Sequence, residues 1–513
     1  MQSISTERLK TRRNAAQRER DAFQPLLDEV YQYSIPFRKS TKDTGKGEKR
    51  VDQVFDHTAI DAAFRFAGKV QQDFWPAGED NFELEPGPIV AQNEREPLLE
   101  QLHPISKVAQ AFFEDGDWDM AFHEMALELV GGTGAILMNP TNDPELLWEP
   151  ISVSIDELLL EGGPNNKVSG IFWTRKMPVR ELVETWEDGK FGEELKGLYA
   201  KKPDTEIEVY VDTVRDPKNR RWQMVVWCKK QTEIIYKSES RTCPWLTPRY
   251  FRVPGETMGR GLAMIAMPTT KTLNTAARLQ LQAAAIAMLG IYTAVDDGVF
   301  NPDLAALQPG AFWKVARNGG TLGASVTRFP DPRLDLSNMV LNEMRMGVKA
   351  TMMDQTLPPD GAAVRSATEI LERVKRLASD HLGAYGRLVK EITIPAVKRV
   401  IELAYNRGLI GQDVNIDQLL IKIRVKSPLA IAREAQRIEK IVQWLQMVIM
   451  ILQERAGRVA HVETALSQIG RDLGVPMEFV VTGDERKAMD EEEKKRAEAQ
   501  AAMAMAGMAV QGA

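Results

Sequence analysis

LAMIAMPTTKTLNTAARLQLQAAAIAML, residues 262–289, and LSNMVLNEMRMGVKATM, residues 336–352, are the two stretches on which the fold turns. Both are rich in helix formers. The first carries Ala276, Ala277, Ala283, Ala284, Ala285 and Ala287, small side chains that let a neighbouring helix approach closely. From Pro268, read as a first-turn residue, this helix spans roughly 33 Å at 1.5 Å per residue. Its most apolar part contains Gln280 and Gln282, follows Arg278 and falls short of the ~20 apolar residues of a membrane span, so it reads as a helix packed against protein. Charges are few: Lys271 and Arg278 on the first helix, Glu343, Arg345 and Lys349 on the second. Between them, 290–335 is irregular and strand-like, broken by Asp297-Gly298, Asn301-Pro302, Asn318-Gly319-Gly320 and Pro330-Asp331-Pro332.

Downstream, 354–364 is a loop, since Pro358, Pro359 and Gly361 leave no helical option. Ser366-Ala367-Thr368-Glu369 is a capping box that opens a long amphipathic helix. Pro395 should kink that helix and Gly408 should end it. A strand is expected over 420–425 and helix over 430–473. The last segment, 484–513, begins with mixed charge and ends in Ala, Met and Gly, without a broad apolar face.

Upstream, apolar residues at helical spacing predict helices over 9–31, 58–74, 97–115 and 118–130, the last closed by Gly131, Gly132 and Gly134. A short strand follows at 135–138. From 146 to 252 the period changes to two. Ile207, Val209 and Val211 alternate with polar neighbours, as do Trp222, Met224, Val226 and Cys228, and Asp216-Pro217-Lys218-Asn219 is the turn between them. The fold class is α+β, mainly helical, with an antiparallel meander.

The chain has 513 residues, too many for one core, and a formal charge of -6. Gripping DNA by its phosphates calls for a basic excess or patch, and composition shows no excess. Two cysteines, Cys228 and Cys243, make no disulfide framework and fit a reducing compartment. No signal-like apolar segment opens the chain.

No G-x-x-x-x-G-K-[ST] loop is present. Gly131-Gly132-Thr133-Gly134 follows a helix, the wrong context for a phosphate cradle, and Met258-Gly259-Arg260-Gly261 reads as a turn. The histidines, His57, His103, His123, His381 and His461, are scattered, and His123-Glu124 lacks the second His of a zinc helix. No catalytic, cofactor or metal site is expected. Two readings stay open: a structural protein of a larger assembly, scaffold-like or an ejected internal one, and an enzyme such as a nuclease with a carboxylate-held metal.

Several segments, in order, resemble the portal proteins, or head-to-tail connectors, of short-tailed bacteriophages (podoviruses). Tyr31-Gln32-Tyr33-Ser34-Ile35-Pro36 is similar to that family's early Tyr-x-Ile-Pro turn. The stretch 56–75 closed by Pro76 resembles its second helix, and 127–138 its helix-to-strand junction. Gly255-Glu256-Thr257-Met258-Gly259-Arg260-Gly261 is similar to its Gly-Glu-x-Tyr-Gly-Arg turn, with Met258 where an aromatic is common. Arg365 to Leu371 resembles the start of its long wing helix.

The resemblance implies a subunit of a ring of about twelve copies around a DNA channel. It implies a wing over 1–261, stem helices over 262–289 and 336–352, a clip over 290–335 and a tunnel loop over 353–365. The chain then returns to the wing over 366–429, forms a crown over 430–483 and ends in a tail over 484–513. Candidate channel residues are Lys349, Asp354, Gln355, Thr356, Leu357, Pro358, Pro359, Asp360 and Arg365. Candidate docking residues on the clip are Asp296, Asp297, Asn301, Arg317 and Arg328, and candidate packing residues in the stem are Ala276, Ala277, Ala284 and Ala287. Implied partners are further copies of the chain, double-stranded DNA, the large terminase subunit, tail adaptor and nozzle proteins, major capsid and scaffolding proteins, and internal core or ejection proteins. No membrane and no cofactor are expected. The implied location is the portal vertex of the virion, after synthesis in the host bacterial cytoplasm.

Overall fold

The computed structural model describes residues 5–39, 47, 51, 53–91, 93–141, 143, 146–229, 231–289, 292–294, 326–328, 334–354, 382–411, 416–426, 440–448, 450–451, 466 and 469–470. Its helices are α1 (Thr6–Tyr33), α2 (Thr58–Phe74), α3 (Arg95–Glu114), α4 (Trp118–Leu129), α5 (Val179–Thr185), α6 (Glu193–Lys201), α7 (Leu262–Leu289), α8 (Leu334–Thr351), α9 (Leu382–Glu391) and α10 (Thr393–Asn406). Its strands are β1 (Phe82–Pro86), β2 (Ile136–Pro140), β3 (Trp148–Ser152), β4 (Leu158–Gly162), β5 (Val168–Pro178), β6 (Glu206–Arg215), β7 (Trp222–Cys228), β8 (Gln231–Ser240), β9 (Trp245–Leu246), β10 (Phe251–Arg252), β11 (Gly259–Arg260), β12 (Tyr292–Ala294), β13 (Val326–Arg328) and β14 (Ile421–Val425).

The chain divides into two compact units. One comprises Met1–Phe23, Phe66–Gly261 and Pro358–Ala513, and the other Gln24–Arg65 and Leu262–Leu357. The second unit thus takes in 24–65 together with both stem-like helices.

The first unit is built on an antiparallel meander in the order β4-β5-β6-β7-β8. The alternation in 207–211 and 222–228 emerges as β6 and β7, paired Val211 to Val226. Leu9 and Ala16 of α1 pack on Phe172, Tyr210, Val225 and Trp227 of this sheet. Burying that apolar face contributes about 25 cal/mol per Å² removed from water. α1 is also held by charge. Arg12 pairs with Glu161, Arg13 with the fully buried Asp212 and with Thr174, and Arg20 with Asp156 at 3.0 Å. Trp227 Nε1 donates to the other Asp212 oxygen at 2.7 Å. Burial drives the Asp212 carboxyl up to about 6, and Arg13 and Trp227 pull the other way.

A second core gathers aromatic rings from Trp75, just after α2, and from β1, α3, α4 and β3. Trp75 lies 4.7 Å from Phe113 and 5.2 Å from Trp118, and Trp118 5.6 Å from Trp148, mostly edge to face. β1 pairs with β14, Phe82 opposite Val425. The strand at 420–425 was legible in the sequence; its partner β1 was not, being a five-residue element ending in proline.

Two corrections concern the region read as strands throughout. α5 and α6 interrupt it, connecting the far ends of β5 and β6. Each is too short to set up helical periodicity: α5 buries only Val179 and Leu182, α6 only Leu195. Two helix starts also move. α7 begins at Leu262, so Pro268 lies inside it and not in its first turn. α8 begins at Leu334. The capping box at Ser366 lies outside the described residues. The kink at Pro395 appears as a break between α9 and α10 at Ile392. Proline has no N–H for the Glu391 carbonyl four residues back and crowds it, so the ladder opens there. At Gly408 (φ +77) the expected stop is made by Leu409 N–H donating to Ala404 O at 2.9 Å.

Candidate assembly and channel-forming site

Two glycine-rich turns singled out in the sequence meet in the first unit. Gly132 has φ +111, and a β-carbon there would lie 2.4 Å from the Arg260 carbonyl carbon. A β-carbon on Gly261 would lie 2.0 Å from Val130 O. The Thr133 hydroxyl accepts from Gly259 N–H at 2.8 Å, and Gly132 O accepts from Tyr250 N–H at 2.8 Å. Gly131-Gly132-Thr133-Gly134 is therefore half of a backbone-to-backbone clasp whose other half is 259–261. Only glycine allows that approach. The residue after Gly261 starts α7.

In the second unit α7 and α8 pack together, and the ends of the insertion between them pair as an antiparallel ladder, Tyr292 opposite Arg328. Leu273 and Ala277 of α7 are buried, as are Leu341, Val348 and Met352 around α8. Asn274 is the polar hub. Its Oδ1 accepts from Phe55 N–H at 2.7 Å and Asp56 N–H at 3.3 Å, and its Nδ2 donates to Gln53 O at 3.0 Å. Asp56 accepts from Thr58 N–H at 3.0 Å at the start of α2, and from Arg345 Nε at 2.8 Å. Burial pushes the Asp56 carboxyl up, but the Thr58 hydrogen bonds and Arg345 together outweigh it and hold it below its ordinary value.

α8 ends in a Schellman motif with Met353 in the left-handed region (φ +58): Asp354 N–H donates to Lys349 O at 2.8 Å, and Met353 N–H to Ala350 O at 3.2 Å. Asp354 is then fixed by Arg65 Nη1 at 3.1 and 3.2 Å. Asp354, the second residue of the expected tunnel loop 353–365, is thus anchored.

Of the candidate channel residues, Lys349 and Asp354 are placed, five residues apart at the end of α8. Gln355, Thr356, Leu357, Pro358, Pro359, Asp360 and Arg365 lie outside the described residues, as do Asp296, Asp297, Asn301 and Arg317. Arg328 sits on β13. Ala277 is buried within its own unit, whereas Ala276, Ala284 and Ala287 are half exposed. Three of the charges on α7 and α8 have internal work. Lys271 pairs with Glu29 at 2.7 Å, Arg345 with Asp56, and Arg278 lies 5.7 Å from the Phe55 ring centre.

Sequence reasoning missed the apolar residues that α7 and α8 leave uncovered: Ile265, Leu279, Leu281 and Met288 on one, Met339, Val340 and Met346 on the other, with Met288 83% exposed and Met339 73%. A helical wheel drawn for each helix would have flagged them. Among the described residues no three or more His, Cys, Asp or Glu side chains are grouped to hold a metal ion, and no helix is long and apolar enough to cross a membrane. His123 Nδ1 faces Gln71 Oε1 at 3.1 Å, and burial pushes the Cys243 thiol up to about 12.

Residues 6–480 match the family model described as bacteriophage head to tail connecting protein, nearly the whole chain. The chain belongs to that family, the phage portal proteins. No curated protein matches it.

Proposed function

We propose that this chain is the portal subunit of a short-tailed phage and that about twelve copies close into a ring around a DNA channel at one capsid vertex. The observation that carries the reading, beyond family membership, is the apolar surface left open on the α7–α8 pair. Large side chains such as Met288, Met339 and Met346 stay in water unless another copy covers them. In this reading α7 and α8 form the stem and the insertion between them the clip. The clip docks the large terminase subunit during packaging and adaptor or nozzle proteins afterwards. Capsid, scaffolding and internal core proteins are neighbours, and the chain is made in the host cytoplasm before entering the virion.

The role is mechanical and not enzymatic. Pairing Lys271 and Arg345 internally leaves few free cations on the stem, and a channel that bound phosphates tightly would brake translocation. Lys349, beside the expected loop, and Arg365 serve as a basic grip against backsliding. Neutralising both should lower DNA retention in packaged heads, and unchanged retention would refute that role.

Electron microscopy of the purified protein tests the main reading. Closed rings with a central hole are expected. Leu279→Asp with Met339→Asp should leave a folded chain, judged by circular dichroism, that no longer forms rings. Wild-type protein that stays monomeric or dimeric across salt and concentration overturns the proposal.

A further inference from the structure

Charge in the first unit is separated along the meander. At one end, the β6–β7 connection holds Arg215, Lys218, Arg220 and Arg221 against Asp216 alone. Beside it, Lys167, Val168, Ile171, Trp222, Arg252, Lys390 and Pro395 line a cleft of about 570 Å³. A neighbouring cleft of about 480 Å³ shares Lys167 and Val168 and adds Arg215 and Arg220. Arg249, also in the first cleft, binds Glu391 at 2.7 Å and the Asn166 and Thr257 carbonyls, yet its buried Nε has no hydrogen-bond partner among the described residues. Among the described residues, the only carboxylates lining the two clefts are Glu391, already paired with Arg249, and Asp216, which accepts from Lys218 N–H within its own turn.

The other end carries the opposite sign. α5, α6 and the turn between them join the far ends of β5 and β6; residues 179–202 hold six carboxylates and five basic residues, but Arg180, Lys196, Lys201 and Lys202 flank the turn, and Glu181 and Glu193 pair with Arg175 and Lys196, which leaves Glu184, Glu187, Asp188 and Glu194 as the acidic patch. Glu184, Glu187, Asp188, Glu193 and Glu194 are exposed. Trp186 and Phe191 lie among them, half-buried. β5, whose 11 residues span about 35 Å, has the basic clefts at its start and the acidic lobe after its end.

We infer that the acidic lobe of one copy seats on the basic clefts of the next, so that neighbouring subunits are held by a head-to-tail electrostatic contact between their meanders. Opposite signs at opposite ends of one sheet cannot satisfy each other within a copy, and they do so when copies follow one another. Such a contact is heterologous, the type that closes rings when the rotation fits. Complementary patches of this kind steer encounter and fix register. A nucleic-acid strand is the less favoured occupant. Of the two indoles lining the first cleft, Trp245 donates its N–H to Thr213 at 3.0 Å and packs edge to face on Trp173 at 5.7 Å, which leaves the half-buried Trp222 as a single stacking face where a strand stacks on successive aromatics. The inference rests on the ring reading above.

The test uses the full chain with charges reversed at exposed positions. Lys167→Glu, Arg220→Glu and Arg221→Glu define a cleft variant; Glu187→Lys, Asp188→Lys and Glu194→Lys define a lobe variant. Ring fraction is read by sedimentation and microscopy, with thermal melting as the check on folding. Each variant alone should lose rings by at least about tenfold at low salt. Mixing the two should restore them, because the acidic lobe of the first then meets the intact cleft of the second and the reversed pair also matches. Rings formed equally by all proteins overturn the inference while leaving the ring reading intact. Absence of rings from the wild type removes the ring reading and this contact with it. Rings retained by the cleft variant, with loss of binding to a labelled single-stranded oligonucleotide, overturn it in favour of a nucleic-acid strand.

Discussion

Gly132 and Gly261 are where a single atom matters most. Gly132→Ala places a methyl 2.4 Å from backbone and in a left-handed conformation, and no flexible side chain can move aside. We expect a loss of about 3 kcal/mol or more, measured by urea unfolding. Asp56 and Asp212 give opposite pH responses. Asp56 is held below its unfolded value, so its contribution is present above the unfolded pKa and lost as pH falls through the folded one. Asp56→Asn should flatten the acid limb of the stability curve, and a double-mutant cycle with Arg345→Ala should give a coupling of about 1 kcal/mol. Asp212 is raised to about 6 from 3.8, so the folded state holds the extra proton between those values. Its contribution is full below pH 3.8 and lost as pH rises through about 6. Asp212→Asn should remove that decline from unfolding measured between pH 4 and 7.

At the scale of elements, α1 is the piece most dependent on buried charge. Arg13→Met leaves Asp212 buried and unpaired and should cost about 3 kcal/mol, with earlier proteolytic cleavage within 6–33. Adding Asp212→Asn should recover most of that, because both charges then leave together. Elements with a sustained period were readable from residue types alone. α2 matches 58–74, since its apolar residues recur every three or four positions over 17 residues. β6 and β7 show a period of two on either side of Asp216-Pro217. Short elements were not readable, because α5 and β1 owe their state to what they pack against. Helix stops at Gly408 and breaks at Pro395 were legible because each acts through the local chain.

At the scale of the molecule, the site was legible only in outline. The order of helix, turn-rich insertion and helix was visible in composition. The contacts that brace it were not: Arg345 and Arg65 reach carboxylates 289 residues away, and no local pattern announces such a pair. Uncovered methionines on α7 and α8 should make solubility and assembly move in opposite directions, so Met288→Lys is expected to raise the soluble monomer fraction in sedimentation while lowering any assembled fraction. The β1–β14 pair has a further effect, on synthesis. Phe82 leaves the ribosome roughly 340 residues before its partner Val425. At about 5–20 residues per second the strand waits tens of seconds with that edge unpaired. The first unit therefore cannot finish folding during most of translation. A nascent chain stalled before 421 should be captured by chaperones and cut by protease in the β1 region, whereas one stalled well past 425 should be protected there.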